Sequence, residues 1–291
     1  MGKRAYVTFS EGEDYEGMKS VLRRSIEEFS VYPLVTYSAS DFSEGWTPEK
    51  WQPGYVYKFK ILACLKALRE FDEIVWIDTD VVVTSSIDEI WNHCIENYPL
   101  LPRYRFQNFI RWPQPRGDMR NPWELALGKQ SVGLTHTNFE NIYCQACAML
   151  IGKRCESFLV EVLSYFENFD GEAFPFGDET IINLLKWKYG YEDNLGDIFL
   201  CTEYFTSIHV MRVLTMIDDQ SYQDIFNPSI IDPDEQNLFL IGGDYRIHNR
   251  LGVIDCSKRP LFLHGSKSVS EQDTFLKHLI SIKNERKRKD D

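Results

Sequence analysis

Two carboxylates, one residue apart, interrupt an apolar run: Ile74-Val75-Trp76-Ile77-Asp78-Thr79-Asp80-Val81-Val82-Val83. In an extended chain, residues i and i+2 point to the same side. A strand continuing through this run therefore aims Asp78 and Asp80 at one point. Paired anions in apolar surroundings are costly unless something neutralises them. A divalent cation does so most simply, and carboxylate oxygens suit Mg2+ or Mn2+. The competing structural reading is that both acids cap the next helix, at Ile87-Asp88-Glu89-Ile90-Trp91.

Such a pair needs a scaffold to aim it. Ala5 to Phe9 reads as a first strand. Asp14 to Phe29 follows with Tyr15, Met18, Val21, Leu22, Ile26 and Phe29 at helical spacing. Pro33 to Tyr37 predicts a second strand. Tyr55 to Arg69 predicts a second helix, with Phe59, Leu62, Leu65 and Leu68 on one stripe. The acid-bearing run, Ile74 to Val83, is the third strand. Alternating strands and helices predict a mostly parallel α/β sheet covered on both faces. Ligands of such sheets bind beyond the carboxyl ends of the strands, and Asp78 and Asp80 stand near one such end. A further strand is expected from Asn141 to Ile151, then a helix through Tyr165. Asp178 to Tyr189 predicts another helix, with Asp178 and Glu179 in its first turn, where the helix dipole favours acids. Between Pro99 and Pro122 lie five prolines and five arginines, an irregular excursion that reads either as a cover over a ligand or as a solvated loop. No composition break marks a domain boundary. One domain over 1–282 is expected, with a nucleotide-binding half (1–100), an acceptor half (101–282) and a charged tail (283–291).

The net charge of −12, from 32 basic and 44 acidic residues, argues against broad nucleic-acid binding. No apolar run approaches the roughly 20 residues of a membrane span, so no stable span is expected. The N-terminus lacks the apolar core and cleavage site of a signal peptide. Seven cysteines form no disulfide-dense pattern, and a cytoplasmic location with reduced thiols is expected. Cys144, Cys147 and Cys155 read as buried core thiols rather than a zinc or redox site, because no second Cys or His pair stands at zinc spacing.

Tyr57-Lys58-Phe59-Lys60-Ile61-Leu62, then Phe71 to Asp80, then Ile87 to Trp91 together resemble the metal-binding core of GT-A fold glycosyltransferases. The likeness is greatest to the family-8-like group that includes glycogenin and lipopolysaccharide galactosyltransferases. It implies a Rossmann-like GT-A domain with an elaborated C-terminal acceptor half. It also implies Mn2+ or Mg2+ on Asp78, Asp80 and a histidine. Leu261-Phe262-Leu263-His264-Gly265-Ser266-Lys267 resembles the family's C-terminal segment, in which the His completes the metal site and the Lys meets the diphosphate. His264 is thus the implied third ligand, with His248 as competitor, and Lys267 the implied diphosphate contact. The spacing here is compressed to His-Gly-Ser-Lys, and no Pro-Trp follows. Tyr6 to Ser10, with Tyr15, resembles the first strand that holds base and ribose, which implies nucleotide contacts at Thr8, Phe9, Ser10 and Tyr15. Lys58, Lys60, Asp78 and Thr79 are further implied donor contacts. Phe176-Gly177-Asp178-Glu179-Thr180-Ile181-Ile182-Asn183 resembles the segment beside the transferred sugar, which implies catalytic roles for Asp178 and Glu179.

The activity so implied is transfer of a sugar from a nucleotide diphosphate, expected to be UDP, to a glycan or other hydroxyl acceptor with retention of configuration. The physical logic agrees: a cation stabilises the departing diphosphate, and a carboxylate stabilises positive charge at the anomeric carbon. Two rivals stand beside it. A haloacid-dehalogenase-like phosphatase would use Asp78 as nucleophile, with Asp218, Asp219 or Asp244 in its late acidic motif. A lectin-like or sugar-nucleotide-binding protein would keep the fold and lack turnover.

Overall fold

Burial on both faces is what the first strand's sequence demands, because Ala5, Tyr6, Val7 and Thr8 are all buried in succession. A computed structural model describes residues 2–42, 53–83, 87–102, 126–135, 144–193, 195, 199–201, 237–241, 244–249, 252–256 and 262–264, with scattered helical residues from 269 to 288. From 199 to 264 the backbone alone is described.

The strands are β1 (Arg4–Phe9), β2 (Leu34–Tyr37), β3 (Glu73–Ile77), β4 (Val81–Val83), β5 (Ala148–Gly152), β6 (Phe199–Cys201), β7 (Asn237–Ile241), β8 (Asp244–Asn249), β9 (Gly252–Cys256) and β10 (Phe262–His264). The helices are α1 (Glu13–Phe29), α2 (Pro53–Ala67), α3 (Ala126–Ser131), α4 (Glu156–Ser164) and α5 (Asp178–Tyr189). Two compact units divide the chain. The first holds Met1–Glu11, Tyr32–Asp78 and Glu89–Ile198; the second holds Gly12–Val31, Thr79–Asp88 and Phe199–Asp291.

In the first unit a four-stranded sheet runs β2-β1-β3-β5. β1 is parallel to β2 and β3, as the strand–helix alternation predicts. β5 is antiparallel to β3, with Trp76 opposite Met149 and Ile77 opposite Ala148. The sheet is thus mostly parallel with one antiparallel strand at its margin, a common arrangement in α/β folds. Leu100 bridges Leu150 on that side. Helix α2 begins at Pro53, where a missing N–H costs nothing. It packs on β1 and β3 and also touches α4 and α5. Its Phe59 stacks on Phe9 of β1, with ring centroids 5.0 Å apart.

In the second unit α1 packs on β4. Ser25 Oγ accepts a 3.1 Å hydrogen bond from the Val83 amide. β4 pairs antiparallel with β10, which runs parallel to β6. β7, β8 and β9 form an antiparallel meander. Asp88 ties down the end of α1, accepting from Ser30 Oγ at 2.5 Å and from the Val31 amide at 3.1 Å.

One expectation needs correction. The run Ile74 to Val83 is not a single strand. β3 ends at Ile77, Thr79 and Asp80 form a turn, and β4 joins a different sheet. The i, i+2 alternation therefore does not govern Asp78 and Asp80. The physical reason is solvation: two carboxylates inside a buried ladder would lose water without gaining donors, and in the break both keep partial exposure. Among the described residues no helix is long and apolar enough to cross a membrane.

Candidate active site

Helical spacing puts Tyr57, Lys60 and Cys64 on one side of α2, and the neighbours Phe59, Ile61 and Ala63 are buried. Lys60 is thereby carried into the core, where only 8% of its surface stays exposed. A buried ammonium needs counter-charges, and it has two. Its Nζ lies 3.1 Å from Asp78 Oδ1 and 3.1 Å from Asp178 Oδ2. The ammonium also sits 5.4 Å from the Trp76 ring centroid, within cation–π range.

Each carboxylate is held by its own element. Asp78 follows β3 directly, and its amide donates to the Cys147 carbonyl at 2.8 Å, extending the β3–β5 pairing by one bond. Its Oδ1 accepts from Trp76 Nε1 at 2.7 Å. Trp76 and Asp78 are two residues apart and so share a side of the chain here. Asp178 opens α5 and is 1% exposed. Gly177 precedes it with φ 54°, a conformation that side-chain-bearing residues rarely adopt. A Cβ on Gly177 would lie 2.2 Å from the Tyr57 ring, so the close seat of α5 against α2 requires glycine. Asp178 Oδ2 is fully buried, and Lys60 is the counter-charge it faces among the described residues.

The buried Asp178 and the partly exposed Asp78 share one ammonium, and the titration behaviour follows. Burial pushes the Asp178 carboxyl up to about 7; Lys60 pulls against that shift, while Asp78 and Glu179 add to it. For Lys60 burial acts downward, but Asp178 and then Asp78 outweigh it and hold the ammonium above its ordinary range. Burial, followed by the charge of Asp178, also raises the Tyr57 phenol. Among the described residues the cluster carries more carboxylates than cations, with Lys60 held between Asp78 and Asp178.

Glu179, beside Asp178, and Asn183, further along α5, perform different work. Glu179 Oε2 accepts from the Ala146 amide at 3.0 Å. Asn183, 1% exposed, accepts from the Cys144 amide and donates to the Cys144 carbonyl, both at 2.8 Å. It also donates to the Glu179 carbonyl at 2.8 Å. These residues grip the segment that leads into β5.

The other expected contacts are distributed as follows. Thr8 is fully buried, and its Oγ1 has no hydrogen-bond partner among the described residues. Phe9 is engaged with Phe59 and Phe42. The buried Ser10 donates its amide to the Tyr37 carbonyl at 2.9 Å. Lys58 is half-buried and Thr79 buried. Tyr15 is 43% exposed on α1, in the second unit. In that unit His264 stands opposite Val81, the residue after Asp80. His248 stands opposite Asn237 and Val253 in the meander, so the register favours His264 as the neighbour of Asp80. Asp244 begins β8 opposite Ile241. Lys267, Asp218, Asp219 and the arginine-rich stretch 103–125 lie outside the described residues. No group of three metal-ligating side chains gathers among the described residues. Cys64, Cys144, Cys147 and Cys155 are buried, as core thiols should be. Sequence reading passed over Trp76, Tyr57 and Asn183 as site residues. Trp76 and Tyr57 were signalled by their spacing, two before Asp78 and three before Lys60.

No family model matches the sequence, and no curated protein matches it. Solved structures do. The apo structure of the bifunctional glycosyltransferase WbbM superposes with a TM-score of 0.54 at 13% identity, over 95% of this chain and 50% of that one. The galactosyltransferase LgtC, solved with donor and acceptor sugar analogues, gives 0.46 at 12% identity over 95% of each chain. A glycosyltransferase involved in glycosylating the major capsid of PBCV-1 gives 0.45 at 11%, over 94% of this chain and 98% of that one. At such identities the WbbM likeness speaks for the fold alone: the chain shares its mostly parallel α/β architecture with that structure.

Proposed function

We propose that this protein is a metal-dependent glycosyltransferase that moves a sugar from a nucleotide diphosphate, UDP in the first instance, to a hydroxyl acceptor with retention of configuration. The observation that supports it most is the buried Lys60 ammonium between Asp78 and Asp178, within a fold shared with WbbM. A lining with more carboxylates than cations favours a centre that becomes positive, as an anomeric carbon does when its glycosidic bond breaks. Asp178 is the carboxylate assigned to that charge, because Glu179 commits one oxygen to the Ala146 amide. Lys60 keeps both acids in place while the pocket is empty and lowers the cost of burying them.

Asp80 and His264 fit a divalent ion by chemistry, since carboxylate oxygen and imidazole nitrogen both suit Mn2+. Their strands are registered with His264 opposite the residue that follows Asp80. Asp78 is retained as the remaining ligand of the proposed set. When bound, the ion takes up negative charge growing on the leaving diphosphate. Thr8, Phe9, Ser10, Tyr15, Lys58, Lys60, Asp78, Thr79 and Lys267 remain the proposed nucleotide contacts. The phosphatase reading gains no support from the fold.

A donor panel tests the proposal. The protein is incubated with sugar nucleotides and Mn2+, and released nucleoside diphosphate is measured. Slow hydrolysis of one donor, lost on adding EDTA and in Asp80→Ala, is expected. UDP with Mn2+ should also raise the melting temperature, and the absence of both turnover and stabilisation would refute the reading.

A further inference from the structure

Asp178 and Asp78 come from distant parts of the chain, yet the same helix positions both. Asp178 is the first residue of α5. One turn and a half further on, Asn183 pairs with the backbone of Cys144 through two 2.8 Å bonds, one to its N–H and one to its C=O. Glu179 takes the Ala146 amide at 3.0 Å. These are the bonds a neighbouring strand would supply, made here by helix side chains. The Gln145 amide adds a 3.0 Å bond to the Pro102 carbonyl. The segment so held ends in Cys147, whose carbonyl accepts the Asp78 amide at 2.8 Å.

We infer that Asn183 is a positioning residue: with Glu179 it splints segment 144–147 to α5, and through the Cys147 carbonyl it sets Asp78 relative to Asp178 and Lys60. Helix α5 thus presents one acid directly and the other through a borrowed strand. Asn183 suits the task because its side-chain amide offers an acceptor and a donor side by side, matching the N–H and C=O that one residue presents to a neighbour. Aspartate keeps the acceptor and loses the donor. Only the kinetic consequence of this inference rests on the glycosyl-transfer reading.

Amide hydrogen exchange on the full chain, resolved to single residues, tests it. In the wild type under sub-denaturing urea, the amides of Cys144, Ala146 and Asp78 are expected to open together. In Asn183→Asp these three should exchange at least about tenfold faster, while Val7 in β1 and Val35 in β2 keep wild-type rates. Independent opening of Asp78 in the wild type overturns the inference. So does an Asn183→Asp variant that leaves Asp78 unchanged or accelerates every amide equally. If that variant does not fold, the wild-type measurement decides. Donor hydrolysis supplies the second readout: kcat falls about tenfold with donor KM within about twofold, the mark of lost alignment rather than lost binding. A change in KM alone overturns the positioning role. Absence of turnover in the wild type refutes the glycosyl-transfer reading and leaves the exchange test standing.

Discussion

Lys60 is the residue on which the pocket's electrostatics turn. Removing one partner of a buried charge group leaves the others uncompensated, at a cost of about 3–5 kcal/mol. Lys60→Met should therefore lower the unfolding free energy by that order in urea denaturation, and Lys60→Met combined with Asp178→Leu should cost less than the single change. Asp178 gives a pH signature with a definite sign. Its carboxyl keeps its proton up to about 7 in the folded chain, whereas an unfolded aspartate loses it near 4. Between those values the folded state binds the extra proton, so this group's contribution to stability falls as pH rises. In metal-free protein, Asp178→Asn should flatten the decline in melting temperature between about pH 4 and pH 7. The same change should lower transfer by on the order of 10²-fold, because a charge-stabilising group is lost. Glu179→Gln, which keeps an acceptor for the Ala146 amide, should retain most activity.

At the scale of elements, the seat of α5 decides the site. Gly177 holds a positive φ with the Tyr57 ring where a side chain would start. Gly177→Ala is expected to cost about 1–3 kcal/mol in backbone strain, more if Tyr57 cannot move, and to lower donor turnover in the folded fraction; calorimetry and the donor assay read both. The break after β3 matters equally. Periodicity predicted β1, α1, β2, α2 and α5 within a residue or two of their observed bounds, because each buries a face of fixed period. It failed at Ile74 to Val83, where apolar residues continue but the ladder does not. A run of buried side chains looks the same whether one sheet or two bury it, and Val81–Val83 is buried in the second unit.

At the scale of the whole molecule, Cys64, Cys144, Cys147 and Cys155 lie in the core and Cys94 is exposed among the described residues. Alkylation of the native protein should therefore modify Cys94 while Cys64, Cys144, Cys147 and Cys155 react only on unfolding, which peptide mass spectrometry resolves. A zinc or redox role for Cys144 and Cys147 would instead show metal-dependent or oxidant-dependent protection. Burial pushes the Cys64 and Cys155 thiols well up from their usual range, so neither is a ready nucleophile.

The succession β1, α1, β2, α2, β3, the acids that follow β3 and the acids that open α5 were all determined by local sequence. Side-chain period, turn chemistry and helix-end preference act over a few residues and leave a visible pattern. The tertiary structure alone decided that Lys60 would sit between Asp78 and Asp178, that Glu179 would grip a backbone amide, and that the two acids of the Asp78-Thr79-Asp80 motif would fall in different compact units. Those outcomes depend on which distant segments share a buried volume, and a residue's charge environment there is set by neighbours that sequence spacing does not encode.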